Sequence, residues 1–488
     1  MEKQHGGVGM VKKTTDTVRH AEQLAKPGTG IRLSDVFSNG LRLEASSYAL
    51  EARQAVAELR ACPYPLKALL GENGLCQKAH NGTRFSRVYV SEEKGVPFLS
   101  SSDIIGLRPE RGSYISRTRT TKLDQLLIQP WMVLVSRSGT IGNVSLASPR
   151  MAGWALSEDV IRIMALDKDT AGYVAAFLRS SWGRQQLIGV TYGSVIQHIE
   201  FAHLRKVLIP DLPVIRRIAI GRAFVDAALK RDEANNKLDE ADALLRTALK
   251  LPSIPVTGKE SIVSKIRLSD WGQRLDAAFH NPTVRWIEQQ LQESGFPVLP
   301  LADKQLTQSI NAVTKFRKRV YVPKGGIPLL SSKQLFQIDP IEVKGLAKGA
   351  HEKDLDEICL TENMVAITRS GTIGRVQIIP KYMQGWAGSE HAIRVIATDN
   401  VTAGYLYAWF SSVYGQALIT RYSYGSVIVE IDRFMVGEIP VPMLPEVERN
   451  AIGKLVLEAN HLRDEAWKLE QEALAKLRLE IEGAEKWN

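Results

Sequence analysis

Two serines and two arginines come nearest to residues that could do chemistry. Ser138 stands in Arg137-Ser138-Gly139-Thr140-Ile141-Gly142, and Ser370 in Arg369-Ser370-Gly371-Thr372-Ile373-Gly374. A serine nucleophile needs a base placed beside it. No histidine occupies matching positions in the two copies: Asp159 stands where the second has His391, and His203 where it has Met435. The serines are therefore expected to hydrogen-bond within their turns. A planar guanidinium presents two parallel donors that suit guanine or phosphate, so Arg137 and Arg369 are candidates for nucleic-acid contact. The alternative for both is an ion pair within the fold, to Glu158 and Glu390.

Other chemistries lack their parts. Cys62, Cys76 and His80 could supply three metal ligands, but no fourth is evident and the second copy has none of them, so no metal is expected. Glu342 and Lys344 after Asp339 faintly resemble a nuclease cluster; the spacing is short, nothing matches it in the first copy, and a solvated loop is the simpler reading. There is no phosphate loop ending in Lys-Ser/Thr, no dinucleotide fingerprint and no nucleophile elbow. Asn281-Pro282-Thr283 lacks the second proline and aromatic of a methyl-donor enzyme's loop. The chain is expected not to be an enzyme and to hold no cofactor. Three cysteines, an odd number without counterparts between copies, read as reduced thiols.

Charge points to a partner. A net charge of +10 and a pI near 9.3 favour a polyanion, nucleic acid first, while charge alone leaves a merely basic surface as an equal alternative. The basic clusters differ between the copies: Arg84 and Arg87, then Arg117, Arg119 and Lys122, in the first; Lys315, Arg317, Lys318 and Arg319 in the second. Two units that read different sequences should differ there, so these clusters are the stronger candidates for base reading. Ser138, Thr140, Ser370 and Thr372 join them as turn contacts.

The elements that carry these residues are duplicated. The turn recurs after 232 residues, and at the same displacement Trp154 falls on Trp386, Ile161-Arg162 on Ile393-Arg394, and Ala171-Gly172-Tyr173 on Ala403-Gly404-Tyr405. A period this long means two whole domains. The spacing predicts a leader over 1–30, globular units over 31–212 and 266–444, long helices over 213–251 and 445–486, and a linker over 252–265. Each unit reads as mixed α+β. Strands are expected at Val96–Ser101 and at Gly326–Ser332, a strand–turn–strand around each Ser-Gly-Thr-Ile-Gly, and helical spacing over Ala171–Leu187 and Ala403–Ile419. In the second long helix Ile452, Leu455, Ala459, Leu462, Ala466, Leu469 and Ala473 alternate three and four apart, the seam of a coiled coil. That register next reaches Lys476, so the seam either ends or slips to Leu477. In the first helix Ile218, Val225, Leu229, Leu238, Ala241, Leu245 and Leu249 line one side, interrupted by the polar run Asp232–Lys237. The two helices are expected to pair antiparallel through residues including Leu238, Leu245, Leu455, Leu462 and Leu469, the alternative being two independent amphipathic helices each lying on its own domain. At ~55 Å each, they would hold the units well apart, more than one ~34 Å DNA turn. No apolar stretch is long enough to span a membrane and no signal peptide is evident, so a cytoplasmic protein is expected.

The arrangement resembles the specificity subunit of type I restriction-modification systems. The residues that carry the likeness are the two Arg-Ser-Gly-Thr-Ile-Gly turns, the entry Arg274–Pro282 with its eroded counterpart Arg42–Leu50, and the segments Tyr192–Ile196 and Tyr424–Ile428. Pro210–Pro213 and Pro442–Pro445 then lead into the long helices. The resemblance implies a subunit without catalysis of its own: two target recognition domains reading a bipartite double-stranded DNA site, with paired helices as spacer. It further implies two docked methyltransferase subunits using S-adenosylmethionine to make N6-methyladenine, with a restriction translocase able to join them. The 30-residue leader departs from the pattern, as do Arg217 and Arg449 where Gln is usual, which leaves a related phage-defence methylation complex open. The alternatives are a stand-alone bipartite DNA-binding regulator and a protein-interaction scaffold.

Overall fold

The computed structural model describes residues 31, 33–38, 41, 48–109, 112–191, 198–254, 274, 276, 279–313, 318–425 and 428–483. The leader, most of the linker, Tyr192–Ile196, Lys315 and Arg317 lie outside them.

Each unit is built on a four-stranded antiparallel sheet. In the first the spatial order is Cys76–Asn81, Val160–Ala165, Val133–Ser136, Val144–Leu146. In the second it is Thr307–Ala312, Ala392–Ala397, Val365–Thr368, Val376–Ile378. The central strands are apolar on both faces (Val133, Leu134, Val135; Val365, Ala366, Ile367), because helices cover one side and loops the other. A smaller sheet containing Gly95–Leu99 or Ile327–Leu330 joins each, pairing in parallel with Ala155–Leu156 or Ala387–Gly388.

The helical segment expected as one piece is broken in both units. α1 (Lys168–Arg179) and α2 (Ser181–Gly189) meet at Ser180, which is extended (φ −65, ψ 164) and whose side chain accepts from the Gly183 N–H as the cap of α2. A hydroxyl residue at this position satisfies an orphan helix donor, so it starts a second helix and ends the first. Ser412 does the same in the second unit, between the helices Asn400–Ser411 and Val413–Arg421.

α3 (Val214–Leu249, 36 residues) follows Pro213 and ends at Lys250 in the left-handed region. α4 (Asn400–Ser411) and α5 (Val413–Arg421) repeat the earlier pair, and α6 (Glu446–Glu482, 37 residues) runs from Pro445 to Gly483 at φ 67. α3 and α6 pack together along their length, antiparallel: Lys230 pairs with Glu465, Lys237 with Glu458, and Arg216 with Glu480.

The seam differs from the expected one by a residue. Ile452, Ala459, Ala466 and Ala473 are buried as read, but the alternate positions are Val456, Arg463, Glu470 and Leu477, while Leu455, Leu462 and Leu469 are only half-buried. A four-three spacing that starts with four puts an arginine and a glutamate into the core. Leu477, not Lys476, continues it. On α3, Leu238 and Leu245 are buried, whereas Leu229 is 43% exposed, and Arg231 together with Ala234 and Asn235 from within the polar run face inward.

Glycines fix where each unit sits on its helix. A Cβ on Gly221 would lie 1.9 Å from the Asp169 carbonyl oxygen, and one on Gly172 2.1 Å from that of Gly221. Gly404 and Gly453 repeat the approach, with 2.3 Å from Gly404 to the Gly453 oxygen and 2.2 Å from Gly453 to that of Val401. Only residues without a Cβ let the backbones come this close. Gly221 lies opposite a point on α6 about 21 residues beyond Gly453, so the two anchors are ~32 Å apart.

The units are not held apart. Leu107 N–H donates to Phe336 O (2.8 Å) and Ile338 N–H to Ile105 O (2.7 Å), and Arg179 and Arg184 of the first unit engage Asp339 of the second. Helix length alone overstated the separation because both units anchor part-way along the pair and lean together over its middle. Asp339 is thereby accounted for as an ion-pair acceptor between units.

Candidate nucleic-acid interface

The turn after Val133–Ser136 is closed from inside by Ser136. Its hydroxyl donates to Thr140 O (2.6 Å) and accepts from the Asn143 N–H (3.0 Å). Thr368 makes the same pair of bonds to Thr372 O (2.6 Å) and the Arg375 N–H (2.9 Å). Gly139 and Gly142 at φ 73 and 80, and Gly371 and Gly374 at 77 and 80, supply the left-handed angles. The inward hydroxyl is thus two residues earlier than expected, on Ser136 and Thr368 in place of Ser138 and Ser370. Ser138 joins a backbone bridge to His198, and the Ser370 hydroxyl lies 2.5 Å from His391 Nδ1. That contact exists in the second unit only, since Asp159 takes the place of His391 in the first. Thr140 and Thr372 stand exposed at the tips.

Both candidate arginines of the turns are engaged, with other carboxylates than expected. Arg137, 16% exposed, donates through Nε to Ile199 O (3.2 Å) and through Nη2 to Glu200. Arg369, 17% exposed, donates to Glu430 (3.4 Å). Glu158 and Glu390 serve Arg87 (3.0 Å) and Arg319 instead. Partial burial alone would raise the Glu158 carboxyl, but its own backbone N–H and Arg87 hold it below the usual carboxylate range. All four arginines fasten loops to the sheet.

Buried arginines support these loops. Arg162 donates to the carbonyls of Val160, Leu126 and Leu156, and Arg394 to those of Ile358 and Gly388. Burial brings both guanidinium groups down to about 10. The Arg162 bond to Leu126 holds the end of the segment that carries Arg117, Arg119 and Lys122. Those three are exposed, as are Arg84 and Lys318; Lys122 adopts the left-handed φ of 53, which presents it at a corner.

A cluster that sequence reading did not single out lies where the units meet. Arg108, Lys333 and Arg375 line a small cleft with Asp103 and Phe336, and the Arg375 guanidinium sits 4.1 Å from the Phe336 ring centre. Its members come from three separate stretches and both copies, and only the fold brings them together. Among the described residues no group of three potential metal ligands is assembled, and no helix is long and apolar enough to cross a membrane.

No family model and no curated protein matches the sequence. Among solved structures, a type I restriction-modification S subunit from M. genitalium aligns at 14% identity, covering 86% of this chain and 100% of its own, with a TM-score of 0.28. The HsdS subunit from Thermoanaerobacter tengcongensis aligns at 12%, covering 86% and 97%, at 0.27. A chain from a structure describing complex assembly and conformational transition of the type I system aligns at 12%, covering 82% and 97%, at 0.27.

Proposed function

We propose that this chain is a non-catalytic specificity subunit of a type I restriction-modification or closely related methylation system, reading a bipartite DNA target. The observation that carries the reading is the pair of like units anchored ~32 Å apart on antiparallel helices, close to the ~34 Å turn of B-DNA that separates successive faces of one groove. Each unit presents its own exposed cations: Arg84, Arg117, Arg119 and Lys122 in the first, Lys318 in the second. Cations that replace condensed counterions provide affinity, and side chains at base edges provide discrimination. Linking two modest readers on a stiff spacer raises the effective concentration of the second once the first is bound. The engaged arginines Arg137 and Arg369 hold the turns, so the unmatched exposed clusters are the stronger base readers.

In this reading the chemistry belongs to partners. Two methyltransferase subunits bind S-adenosylmethionine and methylate adenine, a restriction subunit joins them in some assemblies, and this chain selects the site. The test is binding of the full chain, alone and with co-expressed methyltransferase, to duplex DNA over a salt series. A phosphate-contacting protein must lose affinity steeply, by ~10³ or more between 50 and 200 mM salt for six to ten neutralised phosphates. Flat salt dependence in both preparations favours a protein-interaction scaffold and overturns the proposal. Tight, site-selective binding without the partner marks a stand-alone regulator instead.

A further inference from the structure

The pseudo-symmetry of the two halves is broken at a buried cluster on the long helices. Glu470 of α6, 3% exposed, accepts two hydrogen bonds of 2.6 Å from Arg231 of α3 and an ion pair of 2.7 Å from Arg179 at the end of α1. Arg179 is itself 4% exposed, lies over the Phe224 ring at 5.2 Å, and reaches Asp339 of the second unit through Nε at 3.2 Å. Arg184 of α2 joins it on Asp339, also at 3.2 Å. Burial alone would raise the Glu470 carboxyl, yet Arg179 and Arg231 hold it below the usual range.

One carboxylate therefore touches both long helices and the first unit, and through Arg179 it is joined to the second. The positions 232 residues away cannot build a second copy: Leu238 stands for Glu470, Ser411 for Arg179 and Leu107 for Asp339. An apolar seam of alternating Ala and Leu-sized residues tolerates sliding by a heptad, whereas a buried charge with one matching partner admits a single register. Neighbouring bonds tie each unit to its own helix. Ser148 donates to Asp232 (2.6 Å), and Asn460 donates to Asn363 (3.0 Å) and to Ile379 O (3.0 Å). The Glu470 network ties the two sides to each other through side chains, beside the backbone bonds of Leu107 and Ile338.

We propose that Glu470, with Arg179, Arg231 and Asp339, is a positioning device that holds the two reading units at one separation and so fixes the length of the unread DNA between the half-sites. This rests on the bipartite reading given above.

Two variants test it. D339N removes the charge that Arg179 and Arg184 reach on the second unit, at a position 27% exposed, and leaves the Glu470–Arg231 pair in place. R231M/E470M replaces the central pair with side chains of similar size and leaves Arg179 with Asp339 as its remaining carboxylate. Two readouts are taken on the full chain. The first needs no DNA: a label-to-label distance distribution between T118C and K348C, both exposed, with Cys62 and Cys359 changed to serine. The second is selection from a randomised duplex library with methyltransferase present.

The wild type should give one narrow distance and one gap length. Both variants should broaden the distance, and their preference for the favoured gap over one a base pair longer or shorter should fall about tenfold, equivalent to ~1.4 kcal/mol. Folded variants with wild-type distances and wild-type gap preference would overturn the role of Glu470. Broadened distances alongside a wild type that selects no bipartite site would uphold the clamp and sink the DNA reading on which its consequence depends.

Discussion

Replacing Gly221 with alanine sets two effects of opposite sign against each other. Gly221 lies inside α3, where alanine is favoured over glycine by ~1 kcal/mol from helix propensity alone. Against that, the new methyl carbon would lie 1.9 Å from the Asp169 oxygen, 2.8 Å from its carbonyl carbon and 3.1 Å from the Tyr173 nitrogen. An ordinary separation is about 3.4 Å, so the backbones must part by more than 1 Å. Neither helix can yield by a rotamer change, because the atoms struck are main chain. Overpacking of this kind costs about 3 kcal/mol or more, leaving a net loss of ~2 kcal/mol once propensity is set against it. The assay is chemical denaturation monitored by hydrogen exchange in α1 and α3, beside A219G, which changes an exposed residue of the same turn. A219G should lose ~1 kcal/mol by propensity, and G221A should lose more. A G221A chain as stable as wild type, or more so, would refute the close backbone crossing and with it the fixed anchor of the first unit.

Further outcomes follow from the same geometry. R162M should cost ~3 kcal/mol, because the carbonyls of Leu126, Leu156 and Val160 lose a buried charged donor; thermal unfolding and faster exchange over 117–126 would report it. T368V should open the second turn, with a loss of ~1 kcal/mol and exchange of the Arg375 amide as its marker. The Glu470 carboxyl is held below its ordinary range, so its contribution is fully present above the unfolded value of ~4.3 and is lost as pH falls through the depressed folded value. Denaturant midpoints from pH 7 down to 3 should therefore fall less steeply for R231M/E470M than for wild type. Changing Arg117, Arg119 and Lys122 to alanine should lower the slope of log affinity against log salt by ~0.9 for each phosphate that is no longer neutralised, and should relax one half-site while leaving the other intact.

How much was legible in the sequence depended on whether duplication spoke to it. The repeat doubled every signal, so the two units, their mixed α and β elements, and the two long helices could all be read from residue types. The break at Ser180 and Ser412 could also have been read, since a serine immediately before a helical start is a cap signal; the continuous apolar pattern masked it. The seam register was misjudged by one residue because pattern reading seeks apolar side chains, and here Arg463 and Glu470 occupy core positions that Leu462 and Leu469 were expected to fill. Which hydroxyl points into the turn, Ser136 or Ser138, depends on where the strand ends and the turn begins, which local composition does not reveal. The carboxylates opposite Arg137 and Arg369 come from a segment some sixty residues later, and alignment of the copies gives equivalence, not proximity. Nothing periodic announces that Leu107 and Ile338 bond across the two units.

The most direct test of the account is selection from a randomised duplex library with the full chain and its methyltransferase partner, followed by mapping of methylated adenines in the selected pool. The account predicts two short fixed motifs separated by a constant unread gap, with methylation inside the motifs. A single continuous motif, or no enrichment even at low salt, would contradict the claim that the two anchored units each read DNA.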